Sequence, residues 1–188
     1  MSRATPTAAV LPARAAWVFG YGSLMWDPGF NPTEARCARL HGHHRSLCVW
    51  SWSYRGTRSR PGLVLGLDRG GSCLGRAFRI PSDERAAVMD YLYARELISN
   101  VYRPVLRSVR LDDRRCVHAL TFVVDRSHAQ YAGKLTPEQA AAVVRRARGE
   151  RGPNHEYVAK TAMHLQELGA PCPILDRVHR LLVDASGS

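Results

Sequence analysis

The sequence predicts an α+β fold, a strand-rich body with helices added late in the chain. Three observations predict it. Short segments rich in Val, Leu and aromatic residues, separated by Gly, Pro, Asp or Arg clusters, fill the first two-thirds. Capped segments of helical period fill the last third. The regular strand–helix alternation of a doubly wound sheet is missing. At 188 residues with 45% hydrophobic content, the chain suffices for one domain with a substantial core.

The first sixteen residues, MSRATPTAAVLPARAA, carry Arg and Ala but no acid and lack a long apolar run. They are expected to form a disordered tail, with a transit peptide as the lesser alternative. A single domain is then expected over 17–183, with a short tail at 184–188. Strands are predicted at Trp17–Tyr21, Leu47–Trp52, Leu63–Leu67 and Cys73–Ile80. A helix follows, with Ser82 as N-cap, Asp83 and Glu84 in the first turn, and Val88, Tyr91, Leu92 and Arg95 at helical spacing. Two more strands, Pro104–Leu111 and Cys116–Val124, complete the body. Thr136-Pro137-Glu138-Gln139 combines an N-cap, a first-position proline and a capping-box glutamine, and its helix should end near Gly149. Asn154 is expected to cap the next helix, which Gly169 stops. A last helix from about Pro173 turns Leu175, Val178, Leu181 and Leu182 to one face.

Charge and cysteine content exclude several classes of function. The formal net charge is +11, yet lysine occurs only at Lys134 and Lys160, and the arginines are scattered. No basic stripe interleaves with aromatics as a nucleic-acid stacking platform requires, so no nucleic-acid partner is expected. Excess positive charge can still draw in an anionic small substrate. No apolar run approaches the roughly 18–20 residues of a membrane span, so no membrane association is expected either. Cys37, Cys48, Cys73, Cys116 and Cys172 are odd in number and without metal-finger spacing. They read as reduced thiols of a cytoplasmic protein, most of them buried.

Two features carry candidate chemistry. FGYGSLMW, from Phe19 to Trp26, leaves a strand through Gly20-Tyr21-Gly22-Ser23 and returns at once to Leu24 and Met25. Glycines permit close backbone approach and can aim consecutive N–H groups at a carboxylate or phosphate. It is neither a dinucleotide fingerprint nor a Walker loop, and no helix is expected at Ser23; the alternative reading is a bulge in an antiparallel sheet. Ser23 lies outside a GxSxG context and is not read as a nucleophile. The HGHH run, His41–His44, is read as a surface loop and not as a metal site. The second feature is Glu96. It falls at the end of the Ser82–Arg95 helix and runs into Leu97 and Ile98, so the helix dipole and apolar neighbours should both raise its pKa, as a general base needs. The other reading is an ion pair with one of the many arginines.

Five blocks in order then resemble one family: FGYGSLMW, RGTRSRPGLVLGL (Arg55–Leu67), YLYARELISNVYRP (Tyr91–Pro104), YAGKLTPEQAA (Tyr131–Ala141) and GPNHEYVAKT (Gly152–Thr161). They resemble the ChaC-type gamma-glutamylcyclotransferases, which act on glutathione, over about Trp17 to Val183. The resemblance implies a small mixed or antiparallel β-barrel with flanking helices. It implies a reaction in which the substrate's own α-amine attacks its γ-carbonyl, giving 5-oxoproline and cysteinylglycine, with no metal or cofactor. It implies Glu96 as the base, Gly20, Tyr21, Gly22, Ser23, Leu24 and Met25 as the γ-glutamyl loop, and Tyr157 as a residue near the pocket. Tyr157 either hydrogen-bonds substrate or packs in the core. Met25 and Arg103 depart from the family's usual apolar choices, and the Arg55–Arg60 loop is unusually basic, which bears on substrate range. The rival readings are a cyclotransferase of the same fold acting on other γ-glutamyl amines, and a silent γ-glutamyl-binding module. The sequence leaves the oligomeric state open.

Overall fold

The structure is a computed structural model that describes residues 15–184. The expected tails at 1–16 and 184–188 therefore fall, apart from residues 15, 16 and 184, outside the described residues. Five strands close into a barrel in the order β1-β3-β2-β4-β5: β1 is Trp17–Gly20, β2 Glu34–Ser51, β3 Gly62–Arg79, β4 Tyr102–Leu111 and β5 Cys116–Val124. The helices are α1 (Arg85–Glu96), α2 (Pro137–Arg146), α3 (Asn154–Glu167) and α4 (Pro173–Asp184), with a two-strand ribbon, β6 (Arg148–Gly149) and β7 (Gly152–Pro153), between α2 and α3. This is the α+β class expected. None of the helices described is long and apolar enough to cross a membrane.

Contacts divide the chain into two compact units. The first takes the chain up to His41 and again from Leu74 to Val123; the second takes Gly42 to Cys73 and the chain from Val124 onward. In the first unit β1 pairs antiparallel with the end of β3 and parallel with β5, and β2 pairs antiparallel with β4 in the register Ala38↔Leu111. All four residues of β1 are buried. Its core joins Val18, Leu24, Ile80, Val88, Leu92 and Phe122. In the second unit α2, α3 and α4 pack on one another through Ala140, Val144, Val158, Leu165, Leu175 and Val178.

Two strands run longer than the sequence suggests. The segment expected only at 47–52 is an 18-residue strand that absorbs HGHH, so those histidines are not a surface loop. Polar side chains mask the alternation there. Ala38 and Leu40 point inward, and beyond Gly42 (φ +81°) the buried set becomes His43, Arg45 and Leu47. Likewise the strands expected at 63–67 and 73–80 are one strand, β3, continuous through Gly70 and Gly71. Glycine pairs signal turns in sequence, but here they bend a strand that stays paired.

Helix starts differ in a similar way. The Thr136 capping box forms as expected: Gln139 N–H donates to the Thr136 hydroxyl, and the Gln139 side chain accepts from Thr136 N–H. Its helix stops at Arg146, and Arg148 and Gly149 pair as a strand instead. Ser82 does not cap α1, which begins three residues later with no side-chain cap. Asn154 does not cap α3 either; it is the first helical residue, and its amide is used elsewhere. The stop at Gly169 (φ +63°) is a Schellman arrangement: Ala170 N–H reaches Leu165 O at 2.8 Å and Gly169 N–H reaches Gln166 O at 3.0 Å.

Candidate active site

The glycine loop solves two packing problems at once. A Cβ on Gly20 would lie 3.0 Å from the Leu24 Cβ, so the strand end passes the following turn at a distance that leaves almost no room for a side chain. Across it, a Cβ on Gly75 of β3 would overlap the Gly20 carbonyl oxygen. Gly22 is different, for a Cβ there would meet nothing within 4 Å. Its backbone therefore borders open space. Contrary to the sequence reading, a single 3-10 turn does begin at Ser23: Met25 N–H donates to Gly22 O at 2.9 Å and Trp26 N–H to Ser23 O at 3.2 Å. Such a turn leaves its leading N–H groups, here those of Ser23 and Leu24, outside the intrahelical ladder.

Side chains sort the loop into anchors and a facing surface. Tyr21, Leu24 and Met25 are buried, Met25 at 1% exposure, and they pin the turn to the core. The Met25 carbonyl accepts from Arg76 at 3.3 Å. Ser23 is exposed and Gly22 half-buried, so these two are the part of the loop that a ligand can reach.

Glu96 is the last residue of α1, whose Val88, Met89 and Leu92 are buried in the core. Leu97 and Tyr93, its neighbours on that face, pack against the same apolar cluster. Burial pushes the Glu96 carboxyl above the ordinary carboxylate range, and the Arg95 guanidinium only partly opposes it. Glu96 also forms the ion pair that the other reading expects: Arg95 Nε lies 3.3 Å from Glu96 Oε1. Arg95 does more than pair. Its NH2 donates to Ser23 Oγ at 2.9 Å, and its NH1 donates to the Asp27 carbonyl at 2.8 Å and to the Tyr91 hydroxyl at 2.9 Å. One guanidinium therefore bridges the exposed serine of the glycine loop and the shielded carboxylate. The sequence reading used Arg95 only as a helix-face residue.

Tyr157 belongs to the second unit. It is half-buried, its hydroxyl accepts from Leu65 N–H at 3.1 Å, and Arg55 lies over its ring at 5.6 Å. One helical turn earlier, Asn154 accepts from Leu63 N–H at 2.7 Å and donates to Leu63 O at 2.9 Å. The NHEY segment thus supplies side chains to backbone groups of β3 that a neighbouring strand would otherwise satisfy. In this unit four arginines lie over aromatic rings: Arg58 over Trp52, Arg151 over Tyr54, Arg55 over Tyr157 and Arg126 over Tyr131. Arg55 and Arg58 of the basic loop are thus each seated on an aromatic ring. Asp68 is buried and held by Arg126 Nε at 2.6 Å and Tyr131 OH at 2.9 Å; burial raises its carboxyl, but these bonds and the Arg69 N–H outweigh it and hold it below the ordinary range.

Among the described residues no group of three His, Cys, Asp or Glu side chains could hold a metal ion. His41 is exposed, His43 buried, and His44 Nδ1–H donates to the Gly70 carbonyl at 2.9 Å. All five cysteines are free; Cys48, Cys73 and Cys172 are buried, Cys37 and Cys116 exposed. Burial pushes the Cys48 thiol up to about 12, away from reactivity.

Comparison with known proteins gives a consistent picture. The ChaC-like protein family matches residues 16–184. A glutathione-specific gamma-glutamylcyclotransferase of Escherichia coli is 36% identical over 171 residues, covering 89% of this chain and 74% of that protein. One of Schizosaccharomyces pombe is 30% identical, with 84% and 86% covered, and the human glutathione-specific gamma-glutamylcyclotransferase 1 is 28% identical, with 93% and 80% covered. Among solved structures, a gamma-glutamyl cyclotransferase specific to glutathione from yeast superposes with a TM-score of 0.78 at 21% identity, covering 91% of this chain and 99% of that one. That likeness shows the fold.

Proposed function

The chain belongs to the ChaC-like protein family, and on that premise we propose that it catalyses intramolecular cyclotransfer of the γ-glutamyl group of glutathione. The α-amine of the substrate attacks its own γ-carbonyl. A lactam C–N bond forms, the original amide C–N bond breaks, and 5-oxoproline and cysteinylglycine leave. No water is consumed.

Glu96 is the base in this reading. The amine arrives protonated, near pKa ~8, and an ordinary glutamate titrates near ~4.3, so proton transfer would be uphill by roughly 5 kcal/mol. The observation that carries the proposal is that burial raises the Glu96 carboxyl at the end of α1, which narrows this gap. Glu96 takes the ammonium proton and returns it to the departing cysteinylglycine nitrogen; the attacking nitrogen sheds a second proton as the lactam forms, cysteinylglycine leaves as the ammonium that takes it up, and the carboxylate is regenerated. Gly22 and Ser23 are proposed to hold the γ-glutamyl end through N–H groups and the serine hydroxyl. Folding the substrate so that amine and carbonyl meet can supply roughly 7–11 kcal/mol in favourable cases. Tyr157 is proposed to act through the β3 backbone that it engages. The compartment that suits five free cysteines is the cytoplasm.

The test follows both products from reduced glutathione, with wild type and Glu96→Gln assayed side by side. Equal amounts of 5-oxoproline and cysteinylglycine are expected from wild type. The folded variant should lose roughly 10²–10⁴-fold in kcat. A folded wild type that releases neither product from glutathione would overturn the assignment.

A further inference from the structure

The glycine loop and the end of α1 meet through one side chain. From this geometry we propose that Arg95 is the positioning residue of the site, holding Ser23 as a hydrogen-bond donor for the γ-glutamyl end of the substrate and fixing the Ser23–Asp27 segment against the helix end that carries Glu96. This inference rests on the cyclotransferase reading above and adds a residue to it.

A guanidinium has five N–H donors and no acceptor. Ser23 Oγ accepts one of them, which engages one of its two lone pairs and directs its single proton away from the guanidinium. Because Ser23 is exposed, an arriving ligand can reach that proton. A hydroxyl polarised by a cation is also a stronger donor to a carboxylate. The same guanidinium holds the Asp27 carbonyl, two residues past the 3-10 turn, and the Tyr91 hydroxyl one turn back along α1. Tyr91 packs in turn against Gly29 (φ +77°), its hydroxyl occupying the space a Cβ there would need. The Arg95 side chain is only 20% exposed, whereas Ser23, Asp27 and Tyr91, which it holds, all lie at the surface. Lysine offers a point charge and cannot span Ser23, Asp27, Tyr91 and Glu96 together.

The positive charge has a second effect. Burial alone would hold the Glu96 carboxyl protonated to higher pH, and the guanidinium 3.3 Å away favours the ionised form. The other groups at this end of the site are the Asp27 carboxylate, 3.9 Å from the same guanidinium, the Tyr91 and Tyr93 phenols on α1, and Tyr102 on β4. Burial raises the Tyr93 phenol above its ordinary range.

The experiment compares Arg95→Lys, Arg95→Gln, Ser23→Ala and Arg95→Lys/Ser23→Ala, reading KM, kcat and the pH profile of kcat/KM for glutathione. Arg95→Lys is expected to raise KM about tenfold while the acid limb stays at the wild-type pH, because the charge remains and the fork is lost. Arg95→Gln should raise KM similarly and move the acid limb to higher pH. Ser23→Ala should raise KM to the same extent and add nothing in the double variant, since both changes remove one interaction. A wild-type KM in Arg95→Lys, independent addition of the two KM effects, or an unmoved limb in Arg95→Gln overturns the inference. If Arg95→Gln does not fold, Arg95→Lys and Ser23→Ala still decide it. Failure here with Glu96→Gln inactive sinks only the role of Arg95; an active Glu96→Gln sinks the base assignment itself.

Discussion

A carboxylate shielded from water at the end of a helix costs free energy to ionise, and Glu96 accepts that cost. Its folded-state pKa lies above the unfolded value, so the folded state binds the proton more tightly. Stability is therefore lost as pH rises from the ordinary carboxylate range through the folded-state pKa. Glu96→Gln is expected to be more stable than wild type near pH 7, with the difference vanishing near pH 4; urea denaturation at both values checks this. The same shift sets the acid limb of the kcat/KM profile above the ordinary glutamate range, and activity climbs as Glu96 deprotonates. A limb at the ordinary value would contradict the burial of this group. Asp68 shows the opposite sign. Its pKa is held down, so its contribution is present at neutral pH and lost as pH falls through the folded value. Removing its Arg126 partner should lower stability at neutral pH and do so less in acid, measured by denaturant unfolding.

Between elements, the joint most open to a single change is α3 on β3. Asn154 is fully buried and satisfies both backbone groups of Leu63. Asn154→Ala strands a buried N–H and a buried C=O, and a loss of roughly 2–4 kcal/mol is expected in the unfolding free energy from denaturant titration. Asn154→Asp keeps the acceptor but loses the donor, so it should fall well short of restoring stability. The β1–β3 pair is similarly exacting. Gly75→Ala drives a methyl into the Gly20 carbonyl and the Phe19 ring, and it is expected to lower both stability and activity because it shifts the strand that feeds the glycine loop. These joints also explain which elements the sequence conveyed. The Thr136 box was legible because capping is settled within four residues. Asn154 looked like a cap by the same local logic, but a strand edge 91 residues away in sequence claimed its amide. The length of β2 and β3 was hidden for a related reason: Gly42, Gly70 and Gly71 are turn signals locally and bends within paired strands in the fold.

For the molecule as a whole, the formal charge of +11 should act on an anionic substrate at long range. Raising ionic strength is expected to lower kcat/KM for glutathione severalfold while leaving kcat nearly constant, which steady-state kinetics in low and high salt will show. An equal fall in kcat would assign the charge a role in the site itself. By itself the sequence determined the α+β class, the six apolar segments that became strand, the glycine loop and the exceptional setting of Glu96. Each of these follows from residue type and short-range period, which a chain carries before it folds. Only the tertiary structure decided that Tyr21, Leu24 and Met25 anchor the loop while Gly22 and Ser23 face outward, and that Arg95 links Ser23 to Glu96. Those assignments depend on which backbone approaches which side chain across 72 residues of separation. Such distances are set by packing, and no local pattern encodes them.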